Sequence, residues 1–501
     1  MTVSSISGTS ATMIQSLLSL RSQLDDLTRQ ISTGQKSDTF AGLGSQRGVA
    51  VSLRSQLAAI DGFENTAANV NTRINVANTA LSGMSDIVAN MKAAIAQSTN
   101  VSGINAASQT QSTAKYSLDG MLGLLNTQAG NRYLFGGKVT DRPPVESSDV
   151  IMNGDGARAG LIQTMDERKQ ADLGADGLGR LALTTPTPSS LNVAEDAVSP
   201  FGFKLASVSS SLSNVTVTGP TGSPAAIDVD MTAGNPNTGD SLTLRLNLPD
   251  GTNTSITLTA TTTSPPGPGQ FTIGATTDDT TNNLKAALTS ALDTTAKTSL
   301  TAASAVQASN EFFNADANNP PPRVDGPPFD TATGLVSGTS ANTVVWYTGD
   351  SDPGSARATA SAQIDTSMTA NYGMRASEQG LRSIVQSAAT LAAVTIYSTD
   401  PNGIALSQEL NTRVSGQLSG PPGTQTLQDI QIDLAAAQVS ISAAKTRHQQ
   451  QTSTLQEYQS QIEGVSNEEV GAQILTLQTR LQASMQVTAS MYQTSLVNYL
   501  Q

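Results

Sequence analysis

The most regular pattern of apolar positions lies in "AANVNTRINVANTALSGMSDIVANMKAAI", residues 67–95. Ala67, Val70, Ile74, Ala77, Leu81, Met84, Val88, Met91 and Ile95 recur at alternating steps of four and three. That spacing is an a/d heptad stripe, which predicts a long helix with one narrow apolar seam. The other faces carry mostly Asn, Thr, Ser and Asp, so such a helix cannot bury its seam alone. The spacing extends upstream to Leu53, Leu57 and Ile60. Past an interruption at Ser102-Gly103 it continues through Ile104, Ala107, Ala114, Leu118, Met121 and Leu125, with Gln111 polar within the stripe.

Both chain ends repeat this plan. Met13, Leu17, Leu20, Leu24, Leu27 and Ile31 mark a first helix over about 10–33, broken by Thr33-Gly34 and a glycine-rich loop, "SDTFAGLGSQRG". Near the other end, Leu427, Ile430, Leu434, Ala437, Ile441, Ala444, His448, Gln451, Leu455, Tyr458, Ile462 and Val465 keep the three-four alternation. After a break at "EGVSNEE", Ile474, Leu477 and Leu481 open a last helix. The seam's expected partner is therefore in the same chain. Val70, Ile74, Leu81, Met84 and Val88 are expected to face Leu434, Ile441, Leu455 and Ile462 in an intrachain coiled coil. The short terminal helices lack such a partner in sequence, and isolated short amphipathic helices are marginal in water.

The middle has another texture, rich in Thr, Ser, Gly, Pro and Asn from about 185 to 345. "DSLTLRLNLPDGTNTSITLTATT" contains two alternating runs across a Pro-Asp-Gly-Thr-Asn turn and predicts a β-hairpin. "GQFTIG" predicts a further strand. "TTNNLKAALTSALDTT" predicts a helix with Leu284, Leu288 and Leu292 on one face and Asp279 or Thr280 as its N-cap. Residues 240–310 are thus expected to form a hairpin–strand–helix module, followed by a proline-rich linker, "NNPPPRVDGPPFD". The expected fold is mainly α at both termini, with long antiparallel coiled-coil helices forming a rod and an inserted β-rich α+β central domain.

Composition supports narrow cores over one broad core: of 501 residues only 4% are aromatic and 13% charged. The net charge is −13 and no Lys/Arg cluster occurs, so neither nucleic acid nor an anionic membrane is an expected partner. There is no cysteine, which excludes disulfides, thiol nucleophiles and thiolate metal sites. "MTVSSISGTSATMIQ" has neither a basic nor a continuous apolar region, so no Sec-type leader is expected. No stretch reaches the roughly 20 apolar residues that span a bilayer.

Candidate chemistry is sparse. His448 is the single histidine and sits on a heptad stripe, where a polar residue tunes register or partner choice. Without a second His or any Cys it completes no zinc-type site. There is no Gly-x-Ser-x-Gly elbow and no Walker A sequence, and "GARAG" at 156–160 lacks the context of a dinucleotide fingerprint. "TTDDTTNN" at 276–283 lacks the spacing of a calcium loop and suits a helix N-terminus. "MDERKQADLGADGLGR" at 165–180, the densest charge run, is expected to be a solvated turn or docking surface. Trp346 in "VVWYTG" is expected to anchor a strand. No catalytic, cofactor-binding or metal residues are assigned, and no enzyme activity is expected.

Three segments carry a family resemblance: "LRSQLDDLTRQISTGQKS", "RSQLAAIDGFENTAANVNTRINVANTALSGM" and "LQTRLQASMQVTASMYQTSLVNYL". Together, over roughly the first 140 and last 130 residues, the chain resembles the bacterial flagellin superfamily, which comprises flagellin and the hook–filament junction protein, hook-associated protein 3. The resemblance implies three layers. Residues 1–50 with 470–501 would form an inner tube on assembly. Residues 51–184 with 346–469 would form a coiled-coil rod domain, and 185–345 a variable outer domain. It further implies export through the flagellar type III channel without a cleaved signal, and an extracellular location in the flagellum. The implied partners are other copies in a helical homopolymer, hook-associated and cap proteins, and an export chaperone masking the C-terminal helix. The subunit contacts would fall on Met13, Leu17, Leu20, Leu24, Leu27, Ile31, Ile474, Leu477, Leu481 and Leu496.

Two members of that superfamily stay open. "NTQAGNRYLFGGKVTDRPPV", "VVWYTGDSDPGSARATA" and "TSLVNYL" are similar to the junction protein, whereas length and the Thr/Ser-rich insertion suit a filament subunit. The reading taken is filament flagellin, a structural subunit used for motility, with the junction protein as its alternative. A coiled-coil adhesin would call for a Sec signal or membrane anchor, and an enzyme inserted in the filament for a polar cluster within 185–345.

Overall fold

A computed structural model of the chain describes residues 3–100, 103–397 and 399–499, and their side chains except those of 3–10, 99, 100, 104, 492 and 494–499. Its helices are α1 (Val3–Thr33), α2 (Arg47–Asn100), α3 (Ile104–Leu125), α4 (Ser148–Asn153), α5 (Leu161–Leu173), α6 (Thr277–Thr295), α7 (Thr301–Phe313), α8 (Gln379–Ala393), α9 (Gly403–Leu418), α10 (Leu427–Glu463) and α11 (Asn467–Tyr499). The strands are β1 (Gln128–Ala129), β2 (Arg132–Tyr133), β3 (Leu181–Thr184), β4 (Ser190–Glu195), β5 (Lys204–Ser210), β6 (Thr216–Thr221), β7 (Ala226–Asp230), β8 (Ser241–Asn247), β9 (Asn253–Thr261), β10 (Gln270–Thr272), β11 (Arg323–Val324), β12 (Leu335–Val336), β13 (Ser361–Asp365) and β14 (Met368–Asn371). The chain is thus helical at both ends with a β-rich insertion, as the hydrophobic pattern predicts. It divides into two compact units, one of residues 1–70, 362–370 and 439–501, the other of 71–361 and 371–438.

In the first unit α1 and α11 pack on each other. Each terminal stripe thereby gains a neighbour within the chain, and both helices are continuous instead of the marginal pieces that isolated sequences would be. The N-terminal part of α2 and the C-terminal part of α10 run antiparallel, with Arg54 meeting Glu463 and Phe63 stacking on His448. Leu53, Ile60, Ala67 and Val70 are buried, as are Ile441, Ala444 and His448. Beyond His448 the seam opens. Leu455 and Ile462 are half-buried, while Gln451 and Tyr458 are exposed. Gln56 and Ala59 on α2 are polar or small and leave a cavity there.

A compact joint links the helix ends of this unit. Gly34 adopts φ +68° and its N–H bonds to Gln30 O at 2.8 Å, ending α1 as a left-handed cap does. The next residues pair with the end of α10: Lys36 N–H donates to Glu463 O at 2.7 Å and Val465 N–H to Gly34 O at 3.2 Å. The Lys36 ammonium also donates to Gln461 O and Ile462 O, both at 3.1 Å. It supplies a cation and donors where a helix C-terminus leaves carbonyls unpaired.

In the second unit the stripe that follows Gly103 does not extend the α2 seam. It folds back as α3, antiparallel to α2. A Cβ placed on Gly83 would lie 3.2 Å from Leu124 Cδ1, and one on Gly120 would lie 3.1 Å from Ile87 Cδ1. Small residues let the two backbones approach. The seam over 83–94 is therefore covered by α3, while α10 meets α2 around Asn71 and Asn75 through the Gln438 amide at 3.2 and 2.7 Å. Gln111, the polar residue in the stripe, donates to Ala392 O and Val394 O at 3.2 and 2.8 Å and so closes the C-terminal end of α8. α8 is buried along nearly its whole length and packs against α3, α7 and α9.

Two four-stranded sheets follow, in orders β3-β4-β7-β6 and β10-β9-β8-β5. The predicted hairpin is β8–β9, antiparallel from Ser241↔Thr259 to Asn247↔Asn253, and β10 lies parallel to β9. β5, outside the 240–310 segment, pairs with β8. Leu284, Leu288 and Leu292 of α6 are fully buried in one core with Val193, Val229, Leu244 and Leu258 from the two sheets. The N-cap of α6 is Thr276, not Asp279 or Thr280. Thr276 and Asp279 form a reciprocal capping box, which places Asp279 at N3 and Thr280 inside the helix. After a π-helical turn the chain continues as α7.

The charge run at 165–180 is a correction. Instead of a solvated turn, most of it is α5, and Glu167, Arg168, Asp172 and Arg180 are buried. They are buried because they satisfy one another and their surroundings. Arg168 bonds Asp172 at 2.9 Å and Glu311 at 2.8 Å, Arg323 pairs with Glu167, and Asp172 accepts the Gly202 N–H at 2.8 Å. Burial pushes the Asp172 carboxyl above its ordinary value against the opposing pull of Arg168. Trp346 is buried in a loop between short pairings. Its Nε1–H donates to Phe313 O at 2.9 Å and its ring packs on Phe313.

Candidate assembly interface

The terminal helices hold the residues singled out as subunit contacts. Along α1, Met13, Leu17, Leu20 and Leu24 are half-buried, Leu27 is buried and Ile31 is exposed. Along α11, Ile474, Leu477 and Leu481 are half-buried. Leu496 falls on α11, but its side chain lies outside the described residues. The three-four periodicity of burial at Met13, Leu17, Leu20, Leu24, Leu27, Ile474, Leu477 and Leu481, together with the mutual packing of the two helices, points to these positions as the seam between α1 and α11; exposed Ile31 is not part of it. Of the coiled-coil positions, Val70, Ile74, Leu81, Met84, Leu434 and Ile441 are buried, and Val88, Leu455 and Ile462 half-buried.

A second set of apolar side chains faces away from that seam. Leu18 is 63% exposed and Leu475 66%, and Ile14, Met485, Val487 and Met491 are about half exposed. Sequence reading passed over them because a heptad template registers one stripe per helix. Large apolar residues outside that stripe on otherwise Ser/Gln/Thr-rich helices are the signal that could have found them. Near the C-terminal end of α1, Arg29 pairs with Asp38 at 3.0 Å and Asp26 at 3.5 Å. The Ser466 hydroxyl donates to Glu468 in the first turn of α11 and holds that carboxyl below its ordinary value.

Among the described residues no group of three His, Asp or Glu side chains is placed to hold a metal ion, and no helix is long and apolar enough to cross a membrane. The arrangement offers apolar surface on paired helices.

Residues 5–140 match the family model of the bacterial flagellin N-terminal helical region. Over that N-terminal segment the match supports the flagellin superfamily. The match spans α1, α2 and α3, the segment that carries both the terminal stripe and the opening seam. The family is structural, not enzymatic, and implies subunits that self-assemble into the extracellular flagellar filament. No curated protein matches the chain.

Proposed function

We propose that this flagellin-superfamily chain is the filament flagellin, polymerising through α1 and α11 with the insertion at 185–345 turned outward. The observation that carries the reading is the double character of the terminal helices. One stripe pairs α1 with α11, and a second, with Leu18 and Leu475, stays in water in the single chain. A surface that meets a different surface on the next copy generates an open helical polymer. Export without a cleaved signal, a chaperone over α11, and contacts with hook-associated and cap proteins belong to the same proposal.

The test is immunogold labelling of intact cells with an antibody against residues 240–310. Gold along the whole flagellum is the expected result. A single spot where hook meets filament would replace this reading with the junction protein, and flagella free of gold would overturn both.

A further inference from the structure

In the first compact unit a cavity of about 490 Å3 opens between α2, the turn of the β13–β14 hairpin and α10, lined by Ile60, Phe63, Asp365, Thr366, His448 and Leu455. His448 is only 1% exposed, yet neither ring nitrogen has a hydrogen-bond partner. Its ring stacks on Phe63 with centroids 6.0 Å apart. Nε2 lies 3.6 Å from Asp365 Oδ2, too long for a hydrogen bond and within reach of one after a small ring movement. An imidazole so placed carries the desolvation penalty of unpaired polar atoms, which a contact to Asp365 would relieve.

The charged surroundings are few. From the hairpin comes Asp365, and from α10 comes Arg447, whose Nε donates to Asp365 Oδ2 at 2.9 Å. From α2 the cavity is lined by Gln56, Ala59, Ile60 and Phe63, all uncharged. Burial alone would push the Asp365 carboxyl up, but hydrogen bonds from Arg447 and Thr366 hold it below its ordinary value. It therefore remains a carboxylate wherever histidine titrates. The cavity gives solvent a route to the ring.

We propose that His448 is a proton-operated latch between α10 and the β13–β14 hairpin. A proton taken from solvent makes the ring an imidazolium, whose Nε2–H donates to Asp365 Oδ2 and ties the hairpin to α10. Loss of the proton opens that contact and leaves Arg447 as the hairpin's charged hold on α10. The latch works within one copy and needs no assembly. Because this is the chain's only histidine, no other side chain has its ordinary titration between pH 5 and 8.

The same fact makes the experiment direct. The full-length protein is titrated from pH 8 to 5.5, following the single imidazole by NMR and the amides of residues 361–371 by hydrogen exchange corrected for intrinsic rate. The expected result is that the ring titrates and hairpin exchange slows in step, by roughly three- to tenfold. In His448→Gln the pH dependence of that exchange disappears. A ring that stays neutral throughout, or hairpin exchange with the same pH dependence in the variant, overturns the latch. Should the variant fail to fold, simultaneous or separate movement of ring and hairpin signals in the unaltered protein decides the matter.

Discussion

Arg54 holds Glu463 with two hydrogen bonds, Nε to Oε1 at 3.0 Å and Nη2 to Oε2 at 2.6 Å, joining α2 to the last residue of α10. Glu463 is buried, whereas Arg54 is about half exposed. The same glutamate offers its backbone carbonyl to Lys36 N–H, so one residue fastens three segments of the first unit. Arg54→Ala should destabilise that unit by about 1–3 kcal/mol, toward the lower end because water screens the guanidinium. Thermal unfolding at pH 7 measures this.

The pair also sets a pH dependence. Arg54's hydrogen bond holds the Glu463 carboxyl below its ordinary 4.5, outweighing the upward push of burial. The folded carboxyl thus binds its proton more weakly than the unfolded one. The pair's contribution is present above the ordinary value and fades as pH falls through the folded one. Arg54→Ala should flatten the loss of stability on acidification from pH 5 downward. An unchanged acid limb would show that other carboxylates govern it.

Terminal-helix variants separate the two stripes. Leu475→Asp alters a side chain already in water, so the single chain should keep its helicity and lose about 0.5 kcal/mol or less, while polymerisation fails. Leu24→Asp and Leu481→Asp strike the α1–α11 seam and should abolish polymerisation together with part of the monomer's far-ultraviolet circular dichroism. If Leu475→Asp polymerises at the unaltered critical concentration, the outer stripe makes no subunit contact.

Arg168 is held by Asp172, Glu311 and Pro200 O, with Phe201 beneath its guanidinium at 5.1 Å. Arg168→Ala leaves the fully buried Asp172 without its charge partner. The expected cost is about 3–5 kcal/mol, read as a lowered denaturant midpoint with an unchanged slope. A loss below about 1 kcal/mol would mean that water enters the site and replaces the guanidinium.

The capping box of α6 gives a smaller, local effect. Thr276→Ala removes the hydroxyl that accepts Asp279 N–H at 3.1 Å and should cost about 1 kcal/mol. Thr276→Ser keeps the oxygen and should recover most of it. Equal destabilisation by both variants would point to the lost methyl group.

Much of this architecture was legible in residue order because it depends on local periodicity. The a/d spacing marks α1, α2, α10 and α11, and the Pro-Asp-Gly-Thr-Asn turn between alternating runs marks β8–β9. Other features were illegible for reasons that are equally physical. α3 shares the spacing of α2, and heptad spacing says nothing about whether the chain continues or doubles back at Gly103. β3 to β7 are short, with Ser, Thr and Gly among the few alternating apolar residues, so their strand character comes from pairing. α8 is buried along nearly its whole length, its polar Gln386, Ser387 and Thr390 included, so polarity along that segment does not report exposure.

The same division holds for the functional surface. Helix, break and helix at each end, and the family likeness they carry, follow from side-chain spacing along one strand of chain. Which apolar residues are covered is a question of neighbours. Leu481 and Leu475 are chemically identical on one helix, yet packing of α1 on α11 half-buries the first and leaves the second in water. Charges obey the same rule: residues 165–180 read as a solvated run until Arg323, Glu311 and Gly202, all remote in sequence, arrive to pair with them. Periodicity is a property of neighbours along the chain, and burial a property of neighbours in space.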